Sequence, residues 1–170
     1  MKIHKLLAKK ISYDSAKKRN RKDIKYIVIH FTGNSNDTAE NNAKYYATGN
    51  QRVAGAHFFV GPKGAVWKSV NMNRTAWAVG GLFTQKNGAG SYYQKCTNYN
   101  SVSIELCSYT KGYPADKQVK ATKELVKYIK KYCPNAKTII RHWDVNGKEC
   151  PGPMVGKDNA AWKKFKKEIV

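Results

Sequence analysis

The chain has 170 residues, of which 41% are hydrophobic, a size and an apolar content typical of one compact domain with its own core. Lysine and arginine number 32 against 11 acidic residues, and the resulting net charge of +21 indicates an acidic partner such as nucleic acid, an anionic membrane surface or an anionic wall polymer. No run of about 18 apolar residues occurs, which excludes a transmembrane helix.

The basic residues are spread over three regions, Lys5–Lys25, Lys117–Lys137 and Lys157–Lys167. They include no recognition motif and no interleaved aromatic stacking surface, so we expect no specific nucleic-acid binding and favour a generally cationic surface. The stretch Met1–Lys10 lacks the apolar core of a secretory signal, so we expect no export by the usual signal route.

The cysteines are widely and irregularly spaced, at Cys96, Cys107, Cys133 and Cys150. In a chain without a secretory signal, this spacing argues against a disulfide framework. We therefore predict reduced thiols in the core, with Cys150 as an exception that the following residues explain.

Residues 1–23 are polar, basic and weakly periodic, and they predict an N-terminal extension that either packs on the domain or stays mobile. The domain itself is predicted to span residues 24–170. Its first element is the apolar, β-branched run Tyr26–His30, which is typical of a strand buried on both faces. This strand ends in a histidine that opens into a loop, a place where α/β folds often carry chemistry.

The next segments predict a helix, a hairpin and a long loop. Thr38–Thr48 has Asp37 or Thr38 as its capping residue and Gly49 after its end. Ala56–Val60 and Ala65–Val70 are β-rich runs around a turn at Gly61–Gly64, the pattern of a hairpin. Gly80–Asn100 is rich in Gly, Asn, Ser and Tyr, and an irregular loop of this length is often functional.

Val102–Cys107 predicts a strand in which Glu105 occupies the middle of an otherwise apolar run. The remaining elements are an amphipathic helix, a second strand that ends in histidine and a basic amphipathic helix, at Gln118–Tyr132, Thr138–His142 and Asn159–Ile169. This order predicts a single α/β domain with a mixed central sheet flanked by helices.

Two predicted strands end in histidine, His30 and His142, and Cys150 follows the second. Imidazole and thiolate are preferred zinc ligands, and three protein ligands with an open fourth position are typical of a catalytic zinc site at strand ends. Each residue alone is weak support, because a single histidine at a strand end is more often a hydrogen-bonded surface residue.

The sequence resembles the zinc-dependent N-acetylmuramoyl-L-alanine amidases of phage endolysins and bacterial autolysins, a family related to animal peptidoglycan recognition proteins. The resemblance extends from about residue 24 to the C-terminal helix. Four segments carry it: Ile27–His30, Ala56–Val60, Asn100–Leu106 and Arg141–Pro151.

The resemblance implies that His30, His142 and Cys150 bind one zinc ion, that Glu105 lies beside the metal and that Lys148 faces the substrate. The chemistry of these residues agrees, because a strand-held carboxylate suits a general base and a lysine suits an oxyanion. Two structural alternatives remain open at this level. In the first alternative Glu105 forms an ion pair with one of the many lysines. In the second, Lys148 faces solvent.

The resemblance also directs attention to His57 and Trp77. His57 occupies a position where the family carries a histidine, and we expect a role behind the metal ligands or in packing in preference to direct ligation. Trp77 is expected either as an apolar wall of the cleft or as part of the core. Ala56 replaces the tyrosine that many relatives carry, which shifts the expected proton transfer onto Glu105.

The function implied is a peptidoglycan hydrolase that cuts between N-acetylmuramic acid and the first L-alanine of the stem peptide. The expected setting is a phage or prophage endolysin, a monomer made in the bacterial cytoplasm that reaches the wall after release. Peptidoglycan and anionic wall polymers are the expected partners. The alternatives are a cytoplasmic recycling amidase, a non-catalytic recognition module and a nucleic-acid-binding protein. Recognition modules of this kind typically lack the cysteine ligand, so Cys150 favours the enzyme.

Overall fold

The computed structural model describes residues 1–80, 88–156 and 158–170. Its strands are β1 (Ile3–Lys5), β2 (Tyr26–Phe31), β3 (Phe58–Val60), β4 (Val66–Lys68), β5 (Ser101–Leu106) and β6 (Thr138–Arg141). Its α-helices are α1 (Ala39–Lys44), α2 (Asp116–Tyr132), α3 (Trp143–Asn146) and α4 (Ala160–Ile169). No helix among the described residues is long and apolar enough to cross a membrane.

The strands form one six-stranded sheet in the order β1-β4-β3-β5-β2-β6. Strands β3 and β4 are antiparallel, as predicted for the hairpin, and every other neighbouring pair is parallel. The central strands β2 and β5 are almost entirely buried, which explains their near-continuous apolar sequences. The predicted single-domain α/β fold with a mixed sheet and flanking helices is therefore confirmed.

Helices α2 and α4 pack against each other and cover one face of the sheet. The core between them and the strands includes Ile29, Ile104, Leu125, Ile129 and Phe165, all fully buried. Because side chains alternate along a strand, the neighbours of Ile29 and Ile104 point to the opposite face. That opposite face carries the functional site.

Helix α1 is shorter than the predicted Thr38–Thr48. The Thr38 side chain accepts a hydrogen bond from the backbone N–H of Asn41, as expected of the cap, and the α-helix ends at Lys44. A π-helical turn then continues over Tyr45–Gly49. The Thr48 hydroxyl donates to the Lys44 carbonyl at 2.9 Å and so bridges the two segments.

The first 23 residues pack along the domain. Strand β1 pairs in parallel with β4, so it adds an edge to the sheet. After β1, the Lys9 N–H donates a hydrogen bond to the Tyr46 carbonyl. Tyr13 forms an isolated antiparallel β-bridge with Ala76. Arg19 reaches further still, to the backbone of Asn98 and the following tyrosine.

Part of the predicted 80–100 loop, residues 81–87, lies outside the described residues, as does Lys157 of the third basic region. From residue 88 the loop is anchored on α3, since Gly90 and Tyr92 donate backbone hydrogen bonds to Val145 and Asp144. All four cysteines are free and buried in the structure.

Candidate active site

The register of the central strands places the side chains of two predicted site residues and one further cleft residue in one row across the sheet. Phe59 of β3 lies opposite Glu105 of β5, and Glu105 lies opposite His30 of β2. Directly opposed residues on paired strands project from the same face of the sheet. The sheet therefore brings Glu105 next to His30, although 75 positions of sequence numbering separate them.

His142 extends this row beyond the end of β6. Its backbone N–H donates to the Ile29 carbonyl at 3.2 Å, which continues the pairing between β2 and β6 by one residue. The His142 and His30 rings lie 4.8 Å apart between centroids, at an interplanar angle of 66°.

Cys150 reaches the histidines through the turn that ends α3. Gly147 has a φ of +72°, a left-handed conformation that glycine adopts without a steric penalty, and its N–H donates to the Trp143 carbonyl at 3.1 Å. The chain then returns, and the Trp143 N–H donates to the Cys150 carbonyl at 2.9 Å. The Cys150 Sγ consequently lies 3.7 Å from Nδ1 of His30.

The predicted ligands His30, His142 and Cys150 are thus gathered in one buried cluster. Their ligating atoms lie within 4.8 Å of one another. Nε2 of His30 and both ring nitrogens of His142 are buried without a hydrogen-bond partner, although buried polar atoms are normally paired. These orphaned nitrogens and this donor set fit a zinc ion.

The electrostatics of the cluster favour neutral imidazoles. Burial lowers the pKa of His142 to about 3, and the nearby Lys148 adds to the effect. Burial, followed by His142, lowers the pKa of His30 well below its usual range. Burial raises the pKa of the Cys150 thiol to about 12. Ligation at neutral pH therefore requires no proton loss from the histidines, whereas the thiol must release its proton.

Glu105 has the protonation behaviour expected of a proton-transfer group. Burial raises the pKa of Glu105 to about 7, Lys148 opposes this shift and Asp37 reinforces it. Its Oε2 is buried without a hydrogen-bond partner. No described lysine forms a salt bridge with Glu105, so the ion-pair alternative gains no support among the described residues.

The row opens into a cleft of about 500 Å³. Lys148 is exposed and lines the cleft with Glu105 and the three cluster residues. Trp77 also lines it and is partly exposed, so it forms a wall of the cleft, one of the two positions expected for it. The other lining residues include Asp37, Asn41, Asn42, Tyr45, Tyr46, Arg52 and Phe59.

His57 is buried, and its ring makes its hydrogen-bond contacts away from the candidate metal cluster. The Ser103 N–H donates to its Nδ1 at 3.1 Å, and its Nε2 lies 3.1 Å from the Arg74 carbonyl. Nη2 of Arg19 lies 2.8 Å from the same Nε2. These contacts link β5, the segment after β4 and the N-terminal residues, as a packing role would require.

One supporting pair has no role in the sequence interpretation. The Arg141 Nη2 donates to the Asp144 Oδ1 at 2.7 Å, and the Asp144 Oδ2 accepts from the Arg141 N–H at 2.8 Å. A second Arg141 nitrogen donates to the Met154 carbonyl at 2.7 Å. This ion pair braces the segment between His142 and Cys150. A basic and an acidic residue three positions apart is too common a pattern to identify it.

Several cleft residues were also missed. Asp37 is predicted only as a helix cap, yet its side chain accepts hydrogen bonds from the Asn42 amide at 2.6 Å and from the Ser108 N–H. It thereby joins the loop after β2 to the end of β5. Tyr46 and Arg52 line the cleft beside it. The only sequence feature that points to these two residues is their position in the segment that follows His30.

Comparison with known proteins identifies similar amidases. The chain is 28% identical to N-acetylmuramoyl-L-alanine amidase BlyA of Bacillus subtilis (strain 168) over 140 residues, 78% of this chain and 37% of that protein. It is 29% identical to N-acetylmuramoyl-L-alanine amidase CwlL of Bacillus licheniformis over 152 residues, 86% of this chain and 41% of that protein. The chain thus spans well under half the length of these relatives.

Solved structures share the fold. The structure of PlyL superposes with a TM-score of 0.75 at 24% identity, covering 99% of this chain and 97% of that one. The catalytic domain of XlyA superposes with a TM-score of 0.75 at 20% identity, covering 100% of both chains. The profile of the N-acetylmuramoyl-L-alanine amidase family matches residues 20–153, well over half of the sequence. This chain therefore belongs to the N-acetylmuramoyl-L-alanine amidase family.

Proposed function

We propose that this chain hydrolyses the amide bond between N-acetylmuramic acid and the L-alanine of the peptidoglycan stem peptide. The observation that carries the proposal is the buried cluster of His30, His142 and Cys150, which lies beside Glu105 at the base of one open cleft. Membership of the amidase family and the names of the relatives support the same reaction.

The proposal includes one zinc ion per chain, bound by His30, His142 and Cys150. Two neutral imidazoles and one thiolate are suitable zinc ligands, and three protein ligands leave a position open toward the cleft. When bound, zinc supplies a Lewis acid that polarises the scissile carbonyl and acidifies a water molecule.

Glu105 is proposed as the general base and then the general acid. It accepts a proton from the attacking water and later delivers it to the departing amine of L-alanine. Burial raises the pKa of Glu105, and a zinc ion bound beside it would lower this pKa and favour the carboxylate that accepts the proton from water.

Lys148 is proposed to stabilise the oxyanion that develops on the attacked carbonyl. Its ammonium group belongs to an exposed side chain that lines the cleft, two residues before Cys150. The Lys148 N–H is itself held by the Asn146 side chain at 3.2 Å. This arrangement limits the movement of the backbone that carries the lysine.

We assign supporting roles to Trp77 and His57. Trp77 forms an apolar wall against which the substrate packs. His57 acts behind the metal ligands, because it fixes the backbone of β5 through Ser103, two residues from Glu105.

The cationic surface is proposed to bind anionic wall polymers. Lysines dominate the solvent-facing positions of α2 and α4, on the face of the sheet opposite the cleft. A polymer bound there would leave the cleft free to receive peptidoglycan. The lysines concerned are Lys117, Lys120, Lys123, Lys127, Lys130, Lys131, Lys163, Lys164, Lys166 and Lys167.

The biological setting that we propose is that of an endolysin. A mutant endolysin from Bacillus subtilis has a similar fold, with a TM-score of 0.71. We propose a monomer that is made in the bacterial cytoplasm, reaches the wall after release and lyses the cell, with residues 24–170 as its catalytic domain and residues 1–23 as a basic extension.

Mass spectrometry of peptidoglycan digests tests the reaction directly. Cleavage at the proposed bond releases stem peptides with a new free L-alanine amine and leaves the glycan strands intact. New reducing sugars or cut peptide cross-links would identify a different hydrolase. Intact peptidoglycan after incubation with zinc-loaded protein would instead support the non-catalytic recognition module.

A further inference from the structure

Trp77 and Tyr99 form an aromatic pair at the side of the cleft. Their rings are 6.3 Å apart between centroids and are nearly perpendicular, at 79°. Trp77 lines the cleft that contains Glu105, whereas Tyr99 is 56% exposed and lines a neighbouring cavity of about 310 Å³. The pair therefore separates the proposed reaction centre from a second, shallower depression.

The two rings are held in place through their backbones. The Asn98 Oδ1 accepts hydrogen bonds from the N–H groups of Ala78 at 2.9 Å and Val79 at 2.7 Å, which joins the segment after Trp77 to the segment before Tyr99. An exposed aromatic side chain on a fixed backbone offers a binding surface that loses little conformational entropy when a ligand packs on it.

A partly buried arginine from the N-terminal residues, Arg19, stabilises the same place. Nη1 of Arg19 donates to the carbonyls of Asn98 at 2.7 Å and Tyr99 at 2.9 Å, and its Nε donates to the Met72 carbonyl at 3.0 Å. Because its donors are used by these carbonyls and its guanidinium is largely buried, Arg19 supports the pair from beneath and is not available to a ligand above it.

Among the described residues, those that line the second cavity carry no charge, whereas Arg52 and Lys148 line the cleft on the Trp77 side. Ala54, Gly55 and Ala78 line the cleft beside Trp77, and Val79 and Gly80 line the second cavity beside Tyr99. The carboxylates of a stem peptide would find no cationic partner among the described residues of the second cavity, beside Tyr99. A neutral sugar ring, with an apolar face for the aromatic rings and hydroxyl groups for solvent, fits it better.

We infer that Trp77 and Tyr99 form a carbohydrate subsite, which packs against a neutral sugar of the glycan strand next to the N-acetylmuramic acid whose amide bond is cut. The inference rests on the proposed function and deepens it, because it makes polymeric glycan the preferred substrate over a single muropeptide. Tyr99, which does not reach the proposed metal ligands, then contributes to substrate choice and not to chemistry.

The test compares two soluble substrates for each variant: N-acetylmuramic acid carrying a stem peptide, and a tetrasaccharide carrying the same peptide. We expect Tyr99→Ala to lower the ratio of kcat/KM for the long substrate to that for the short one by about tenfold, the effect of one aromatic contact at a binding site. Tyr99→Phe keeps the ring and should keep most of the ratio. The ratio does not depend on how much of a variant is folded.

Tyr132→Ala is the matched control, since Tyr132 is a 40% exposed tyrosine on α2, on the face opposite the cleft. It should leave the ratio unchanged. An unchanged ratio in Tyr99→Ala, or an equal loss in Tyr132→Ala, would overturn the subsite.

Calorimetric titration with peptide-free glycan oligosaccharides separates this inference from the proposed reaction, because it requires no hydrolysis. Weaker binding to Tyr99→Ala than to the unsubstituted protein supports the subsite even if the amide bond proves not to be the one cut. Equal binding by both proteins overturns it, even if the amidase reaction is established.

Discussion

Glu105 lies directly opposite His30 in the parallel register of β5 and β2, and both side chains project from the face of the sheet that lines the cleft. A carboxyl group with a raised pKa therefore lies next to His30, the first of the three proposed zinc ligands. The register of two central strands therefore determines the distance between the proposed base and the metal. The predictions below test the parts of this arrangement separately.

Replacing Cys150 by Ala should remove both bound zinc and lysis, because two imidazoles alone are a poor site for this ion. Elemental analysis of purified protein measures the metal. Cys133→Ala is the control, since Cys133 is also a free, buried cysteine but lies at the end of α2. That variant should keep its zinc. Stoichiometric zinc in the Cys150 variant would show that the ligands are wrongly assigned.

Replacing Glu105 by Gln should leave zinc content and melting temperature close to those of the unsubstituted protein and lower turnover by roughly 10²- to 10⁴-fold. The amide has the same shape but cannot accept the proton from water. A structural ion pair would behave in the opposite way, with lower thermal stability and retained activity. Near-normal turnover by correctly metallated protein would rule out the catalytic role.

Lysis of whole cells should weaken as salt rises, because the Debye length falls from about 10 Å at 0.1 M to about 3 Å at 1 M and screens attraction to anionic polymer. Hydrolysis of a small soluble muropeptide serves as the control and should change less. The variant Lys163→Gln with Lys167→Gln, altered on α4 away from the cleft, should show a smaller salt effect. Lysis that is unchanged over this range would refute polymer targeting by charge.

Replacing Asp144 by Asn should destabilise the domain by about 3–5 kcal/mol, because it leaves the Arg141 guanidinium buried without its counter-charge. The two side chains are only 5% and 17% exposed. The exposed pair between Lys44 and Glu40 provides the comparison, and Glu40→Gln should cost about 1 kcal/mol or less. Denaturant unfolding of the two variants measures both values, and equal losses would contradict a bracing role for Asp144.

His57 should make stability depend on pH below its unfolded-state pKa of about 6.5. Burial, followed by the neighbouring Arg19, lowers the pKa of His57 well below its usual range, so the folded protein does not take up a proton that the unfolded chain binds. The contribution of His57 to the free energy of unfolding should therefore be fully retained above pH 6.5. Below that value this contribution should fall by about 1.4 kcal/mol per pH unit.

The comparison is with His57→Gln, in which the amide retains an acceptor for the Ser103 N–H but does not titrate. Urea unfolding of both proteins at several pH values gives the difference in slope. The contributions of His30 and His142 are common to both proteins and cancel. Parallel slopes would show that His57 takes up its proton without cost to the fold.

The sequence by itself predicted the strands and main helices from β2 onward, their order and the three residues of the candidate metal cluster, but neither β1 nor the short helix α3. An apolar run such as Tyr26–His30 is a local signal, because burial on both faces requires apolar residues at every position. The candidate ligands were identified by the resemblance of their local sequences to the family, because the zinc affinity of an imidazole or a thiol alone is weak support. Glu105 stood out because a carboxylate in the middle of an apolar strand is rare without a task.

Only the tertiary structure decided which of these groups meet and what surrounds them. The pairing of β1 with β4 and the support that Arg19 gives to Tyr99 both join segments whose local sequences give no sign of the contact. The raised pKa of Glu105 likewise depends on burial by the whole fold and on Asp37 from another loop. The physical reason is that such contacts are selected by the packing of the complete chain, whereas sequence patterns report the requirements of one segment at a time.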